Sequence, residues 1–176
     1  MRALAAAAGV VALSAVATPA GAVEHEHQLG VDLGVPLLVT QSSSTSTAAG
    51  GSLGLHYSYG LTDAWNLVGD GGTSLMPLGV GSLVTGSQVD VGLAYVLDVL
   101  RWIPWGSAEV GGYVLTGGPG GTQVLPGVAL TVGLDYRIDR SWAVGFMLRE
   151  HLLVTDAATY PSFVQGLGRF TYTWGW

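Results

Sequence analysis

The sequence predicts an all-β fold, a single eight-stranded antiparallel transmembrane up-and-down β-barrel preceded by a cleaved signal peptide. Large apolar residues alternate with small or polar ones along most of the chain, and this period of two indicates strands. Charged residues make up only 10% of the chain, and all six basic residues are arginines. The six tryptophans lie beside short connections or at the C-terminus. A length of 176 residues fits one domain.

The N-terminus has the composition of a secretory signal. A positively charged start precedes the apolar stretch 3–16, and residues 20–22 form an A-x-A cleavage pattern. The apolar stretch is shorter than the roughly 20 residues that a membrane-spanning helix needs, which disfavours an anchor. We therefore predict a signal peptide over 1–22, a periplasmic leader over 23–27 and the barrel over 28–176.

Eight segments have the alternation of strands. In the first, every odd position from Leu29 to Val39 is apolar. The third and fifth strands alternate less clearly and are inferred mainly from the connections around them. The predicted strands are 29–39, 52–59, 65–73, 88–97, 105–115, 128–138, 142–149 and 169–176.

The predicted connections alternate between short and long, as in a series of hairpins. The long ones are rich in Gly, Ser, Thr and Pro, which is typical of loops. The short connections lie at 62–63, 99–103 and 139–140, and the longer ones at 41–51, 74–87, 116–126 and 155–162.

The composition of the second strand face distinguishes a membrane barrel from a soluble one. Alternation alone fits a soluble sandwich or lipocalin-like barrel as well as a membrane barrel. The second face consists of Gly, Ala, Ser and Thr with scattered Asp and Arg, and the chain has no lysine. A water-facing surface carries abundant charges of both signs, whereas a narrow eight-stranded lumen has room mainly for small side chains. The apolar face is therefore predicted to face lipid.

Aromatic residues predict an interfacial girdle at the rim that carries the short connections. Tryptophan and tyrosine prefer the membrane–water boundary, and short turns face the periplasm in bacterial barrels. The opposite rim has fewer rings, namely Tyr113, Tyr160 and Phe163. The predicted girdle comprises Tyr59, Trp65, Tyr95, Trp102, Trp105, Tyr136, Trp142 and Trp174.

Several of these features together resemble a known family. The signal peptide, the eight strands, the short "LTDAW" turn and the "RFTYTWGW" ending are similar to the small outer-membrane β-barrel proteins of Gram-negative bacteria, of the OmpA/OmpX type. The resemblance implies a location in the cell outer membrane, contact with its lipids, and periplasmic chaperones and the barrel assembly machinery as partners during biogenesis. It also implies a C-terminal assembly signal formed by Phe170, Tyr172, Trp174 and Trp176.

Charged residues on the second face are predicted to project into the lumen. Buried charges persist in proteins when they are paired, so an ion-pair network that fills the barrel is favoured over a conducting lumen. The predicted network contains Asp32, Asp90, Glu109, Asp135, Arg137, Arg149 and Arg169.

Other chemistry-bearing residues are interpreted as structural. His56 and Ser58 share one strand face and suggest a hydrolase, but side chains two apart on a strand are about 7 Å apart, and a third, carboxylate partner is not identified. His25 and His27 could bind a metal at the new N-terminus, but two histidines alone are a weak signal, and a solvated leader is the favoured interpretation. "GDGGT" at 69–73 lacks the length of a phosphate loop. No catalytic, metal or cofactor residue is predicted.

The predicted function is a structural or surface-interaction barrel that is not an enzyme. The alternatives left open are a narrow pore or hydrophobic-solute channel, a lipid-modifying enzyme and a soluble lipocalin-like binder. A net charge of −6 argues against nucleic acid as a partner, because nucleic-acid binding needs a basic patch. The oligomeric state stays open.

Overall fold

The chain forms a closed antiparallel β-barrel in the computed structural model, which describes residues 25–41, 45–77, 83–98, 100–118, 121–155 and 162–175. The predicted signal peptide and Trp176 lie outside the described residues. Within those ranges, no helix is long and apolar enough to cross a membrane.

Nine strand segments build eight barrel strands. β2 and β3 both pair with β1 and are separated only by Gly50, so they act as one strand, and β1 pairs with β9 to close the barrel. The eight-stranded antiparallel prediction is thus confirmed. The segments are β1 (His27–Gln41), β2 (Thr45–Ala49), β3 (Gly51–Gly60), β4 (Trp65–Pro77), β5 (Leu83–Val96), β6 (Trp102–Gly118), β7 (Gly121–Arg137), β8 (Trp142–Leu153) and β9 (Ser162–Trp174).

Strands extend into segments that the sequence predicted as loops. β2 occupies part of the predicted loop 41–51, and β6 and β7 continue through most of 116–126. Glycine and serine composition indicated loops there, but the backbone of these residues pairs in register with the neighbouring strand, for example Leu115 with Gln123. The hairpin ends where Gly117 and Gly121 adopt positive φ angles of 85° and 75°, which glycine tolerates.

Side-chain hydrogen bonds shape two of the short turns. The hydroxyl of Thr62 accepts from the N–H groups of Ala64 and Trp65 at 3.3 and 3.1 Å. The carboxylate of Asp139 accepts from the N–H groups of Ser141 and Trp142 at 2.8 and 2.9 Å. Such Thr and Asp contacts tighten turns. We call the barrel end with these turns the turn rim, and the opposite end the loop rim.

The two strand faces have opposite exposure. Leu33 is 59% exposed on the outside, whereas the preceding Asp32 is 2% exposed inside. The same alternation recurs on the other strands, so the large apolar side chains point outward, as predicted. The outward face has the composition that favours contact with hydrocarbon.

Seven of the eight predicted girdle rings point outward near the turn rim. Trp65 and Tyr95 lie 5.2 Å apart between ring centroids, and Trp102 and Tyr136 lie 4.8 Å apart. The other three outward rings are Tyr59, Trp142 and Trp174.

Trp105 is the exception, and its assignment to the girdle is wrong. Pro104 takes the outward position, so Trp105 points into the lumen beneath the guanidinium of Arg169, whose Cζ lies 4.4 Å from the ring centroid. Tyr113 and Phe163, expected at the far rim, are likewise buried inside the barrel. Proximity to a rim was the wrong criterion, because position in the strand alternation decides which side a ring occupies.

Candidate functional site

The loop-side half of the lumen is filled by apolar side chains. They come from the loop-rim ends of the strands, where consecutive residues are apolar on both faces, as in 35–39. This cluster was not predicted from the sequence, although uninterrupted apolar runs at the strand ends indicate it. The apolar plug consists of Leu38, Ala48, Met76, Val84, Tyr113, Leu115, Leu125, Leu153 and Phe163.

A hydrogen-bonded polar layer lies directly beneath the plug. The hydroxyl of Tyr113 donates to Asp90 at 2.6 Å, and Nδ1 of His151 lies 3.0 Å from the same hydroxyl. The other ring nitrogen of His151 lies 3.0 Å from the amide oxygen of Gln165, whose amide nitrogen donates to Ser74 at 3.0 Å. Tyr113 therefore joins the plug to the polar layer.

Arg149 forms the most buried ion pair of the described lumen. Its guanidinium makes two hydrogen bonds to Asp70, one of them 2.7 Å long, and lies 3.7 Å from Glu109. Nε of Arg149 donates to Thr131 at 3.1 Å. Asp70 was missed by sequence analysis because it lies within "GDGGT", where the glycines give no apolar phase.

Arg169 and Arg137 occupy the turn-side half. Arg169 lies opposite Asp32 in the β1–β9 register and is 3.9 Å from both Asp32 and Asp135. Arg137 forms an ion pair at 2.7 Å with Asp98, which was not predicted from the sequence. The side chain of Arg137 is 37% exposed at the turn rim. The seven predicted lumen charges therefore lie in several separate groups.

His56 has a hydroxyl partner other than Ser58. Its Nδ1 lies 3.0 Å from both carboxylate oxygens of Asp32, and its Nε2 lies 3.1 Å from Oγ1 of Thr171. The hydroxyl of Ser58 instead accepts from the side-chain amide of Asn66 at 3.1 Å. The structure thus supplies the carboxylate that the sequence could not identify, and it replaces the serine by a threonine on β9.

A cavity of about 50 Å³ lies in the turn-side half, and we call it the vestibule. Its lining includes the rim residues Asp98 and Thr173 as well as Thr171 deeper in the barrel. Four lining residues carry a buried polar atom without a hydrogen-bond partner among the described residues: Oδ1 of Asn66, Nε1 of Trp105, Oδ1 of Asp135 and Nε of Arg169. The vestibule therefore offers donors and acceptors to a small polar molecule.

The two leader histidines bind tyrosines. Nδ1 of His25 lies 2.9 Å from the hydroxyl of Tyr59, and Nδ1 of His27 lies 2.8 Å from that of Tyr57. The imidazole of His27 also stacks on Trp174 with ring centroids 5.4 Å apart. Across the described ranges, no group of three His, Cys, Asp or Glu side chains is placed to hold a metal ion.

Comparisons with solved structures identify the class of fold. Neisserial surface protein A superposes with a TM-score of 0.68 at 13% identity, over 87% of this chain and 100% of that chain. The outer membrane protein OprG from Pseudomonas aeruginosa gives 0.62 at 11% identity, over 87% and 97%. The fold is therefore that of the small eight-stranded outer-membrane barrels.

This fold also occurs in an enzyme. The outer membrane enzyme PagL superposes with a TM-score of 0.50 at 15% identity, over 80% of this chain and 97% of that chain. No family model matches the chain, and no curated protein sequence matches it. The choice among functions must therefore come from the site and its side chains.

Proposed function

We propose that the chain is an integral outer-membrane barrel with a structural or surface-interaction role and a side-chain-filled lumen. The outward apolar band and the ring girdle at one rim support membrane insertion, since an eight-stranded barrel leaves no strand edge unpaired in hydrocarbon. In the proposed orientation the turn rim and both chain ends face the periplasm, and the loop rim faces outward.

The filled lumen is the observation that carries this proposal. The apolar plug occupies the loop-side half, and the buried pairing of Arg149 with Asp70 crosses the middle. An eight-stranded barrel is just wide enough for side chains to fill. A water path through this lumen would have to displace apolar side chains and separate a buried ion pair, which disfavours the narrow-pore alternative.

Fractionation and gel mobility test membrane insertion. We expect the protein in the outer-membrane fraction, resistant to extraction by urea or carbonate, with different gel mobility before and after boiling. Recovery as a periplasmic monomer that is stable without detergent would contradict the proposal and favour the lipocalin-like alternative.

Planar bilayer recordings test the closed lumen. We expect the intact protein to show little or no steady conductance. Arg169→Gln leaves Asp32 and Asp135 without their shared cation, so this variant should be less stable or show brief openings. Stable, ion-selective conductance by the unaltered protein would favour the pore alternative instead.

The proposed C-terminal assembly signal gives a separate test of biogenesis. Phe170, Tyr172 and Trp174 project outward on β9, the strand that closes the barrel on β1. Deleting Trp176 should lower the amount of inserted barrel and increase its degradation by periplasmic proteases. Deleting one exposed loop residue such as Thr155 provides the matched control. Equal membrane levels for both deletions would contradict the assembly role.

A further inference from the structure

Three neighbouring strands bring His56 and Thr171 together across a glycine. In the barrel register Gly30 of β1 pairs with His56 of β3 on one side and with Thr171 of β9 on the other. A Cβ atom at residue 30 would lie 2.5 Å from Cε1 and 2.6 Å from Nε2 of the imidazole. Because residue 30 has no side chain, the imidazole can cross β1 and reach the threonine.

The carboxylate of Asp32 fixes the role of each imidazole nitrogen. A carboxylate only accepts hydrogen bonds, so Nδ1 of His56, 3.0 Å away, carries the proton. Nε2 then has the free lone pair and accepts from the hydroxyl of Thr171 at 3.1 Å. A hydroxyl bonded to an imidazole that a carboxylate orients is the arrangement that activates oxygen nucleophiles.

The vestibule adds donors beside this hydroxyl. Thr171 is 3% exposed and its hydroxyl can be approached through the vestibule that it lines. The same cavity is lined by Arg169 and Trp105, whose Nε and Nε1 atoms make no hydrogen bond among the described residues, although Nε of Arg169 lies 3.9 Å from Asp32. Arg169 lies two residues before Thr171 on the same inward face. A guanidinium and an indole N–H that line the same cavity as a nucleophile can stabilise a developing oxyanion once a substrate is bound there.

We propose that Thr171 is the nucleophile of an esterase site that accepts small acyl esters from the turn rim. Oγ1 of Thr171 attacks the ester carbonyl while its proton passes to Nε2 of His56, and Arg169 and Trp105 donate to the oxyanion. The carbonyl then re-forms, the alkoxy group leaves with the proton from His56, and the acyl group stays on Thr171. Water activated by His56 hydrolyses this second ester. Asp32 is a positioning residue.

The size of the vestibule restricts the substrate class. About 50 Å³ accommodates an acetyl-sized group, so the leaving group must extend towards the rim residues Asp98 and Thr173. This inference does not rest on the structural role proposed above, and it revises the sequence prediction that His56 only fills the lumen and that the chain is not an enzyme.

The test is acetylation of the full-length folded barrel in detergent by p-nitrophenyl acetate. Intact mass and peptide mapping should show one acetyl group on Thr171 that is removed with time. Thr171→Ser should retain labelling at residue 171, whereas Thr171→Val and His56→Gln should lower the rate roughly 100-fold or more. Thr131→Val, which removes an equally buried inward hydroxyl on β7 outside the vestibule, is the matched control and should label like the unaltered protein.

Two further variants separate catalysis from folding, with gel mobility used to confirm that each barrel is folded. Gly30→Ala keeps every reacting side chain in the sequence but places a Cβ atom against the imidazole of His56 and the backbone carbonyl of Phe170. In the barrels that still fold, the displaced imidazole should no longer support acetylation of residue 171. Asp32→Asn should change the pH dependence of the acetylation rate, because an amide no longer fixes the proton on Nδ1. An unaltered folded protein that is not acetylated at Thr171, or equal labelling of the folded Gly30→Ala barrel, overturns the proposal.

Discussion

The two halves of the lumen obey the same strand alternation but are filled in different ways. In the loop-side half, apolar side chains from all eight barrel strands meet in one cluster. In the turn-side half, polar side chains line much of the vestibule, and four of their buried atoms make no hydrogen bond within the part of the chain that the structure describes. One half therefore resembles the core of a soluble protein, whereas the other resembles a binding site.

A barrel of this width can therefore be closed at one end without being closed at the other. Apolar side chains pack against one another without directional requirements, and in the loop-side half they form one buried cluster. Polar side chains need partners at defined angles, and the turn-side half satisfies only some of them.

Breaking the central ion pair should have the largest effect. Arg149→Gln leaves Asp70 and Glu109 as buried, unpaired acids between the two halves, and we expect a loss of about 3–5 kcal/mol in unfolding free energy. Arg137→Gln removes a half-exposed pair with Asp98 and should cost at most about 1 kcal/mol. Urea titrations of the folded gel band measure both. Equal losses of unfolding free energy would show that the buried ion pair contributes no more to stability than the half-exposed one.

Truncating the plug should have the next largest effect. Leu38→Ala creates a cavity in the loop-side half and should cost about 2–5 kcal/mol. Leu33→Ala, on the same strand but facing outward, is the matched control and should cost less because lipid or detergent fills the space. The same urea titration measures the unfolding free energy of both variants. A larger loss of unfolding free energy for Leu33→Ala would contradict the assignment of the plug.

Charged substitutions on the outward face test how deep in the membrane each residue lies. Arginine at Leu33, in the middle of β1, should cost about 2–4 kcal/mol in lipid. Arginine at Tyr172, close to the turn rim, should cost less because its charge can reach water. Unfolding free energies measured in vesicles provide the comparison, and a neutral effect of Leu33→Arg would argue against a lipid-facing surface.

The smallest expected effect lies at the turn rim. Burial raises the pKa of the Glu26 carboxyl, which precedes β1. The folded state therefore binds this proton more tightly than the unfolded chain, so the ionised form destabilises the barrel at neutral pH, and this cost disappears as the pH falls through the raised pKa. Glu26→Gln should raise the urea midpoint slightly at neutral pH and leave it unchanged in acid. A lower midpoint at neutral pH would show a stabilising charge instead.

Sequence alone predicted the strands and the outward face well because both depend on local alternation. It missed the plug because residues such as Pro36, Leu37 and Leu38 are apolar at both parities, so they do not distinguish the two faces. It missed Asp70 because neighbouring glycines hide the phase of β4. It misplaced Trp105 because Pro104 and Gly106 leave only small outward residues beside it.

The candidate site was harder to predict because it depends on barrel closure. His56 and Thr171 are 115 positions apart in the chain and meet only because β1 lies between β3 and β9. A sequence shows that His56 and Ser58 share a face, but it does not give the register that places Gly30 under the imidazole. The strand pattern of the sequence therefore identifies the histidine but not its partners.

The most direct test of the two-part lumen uses single cysteines, since the chain has none of its own. Thr173→Cys places a thiol in the vestibule, and Val84→Cys places one in the plug. A small, water-soluble methanethiosulfonate reagent should label the folded Thr173→Cys barrel rapidly, but should label Val84→Cys only after unfolding. Rapid labelling of Val84→Cys in the folded barrel would contradict a closed loop-side half.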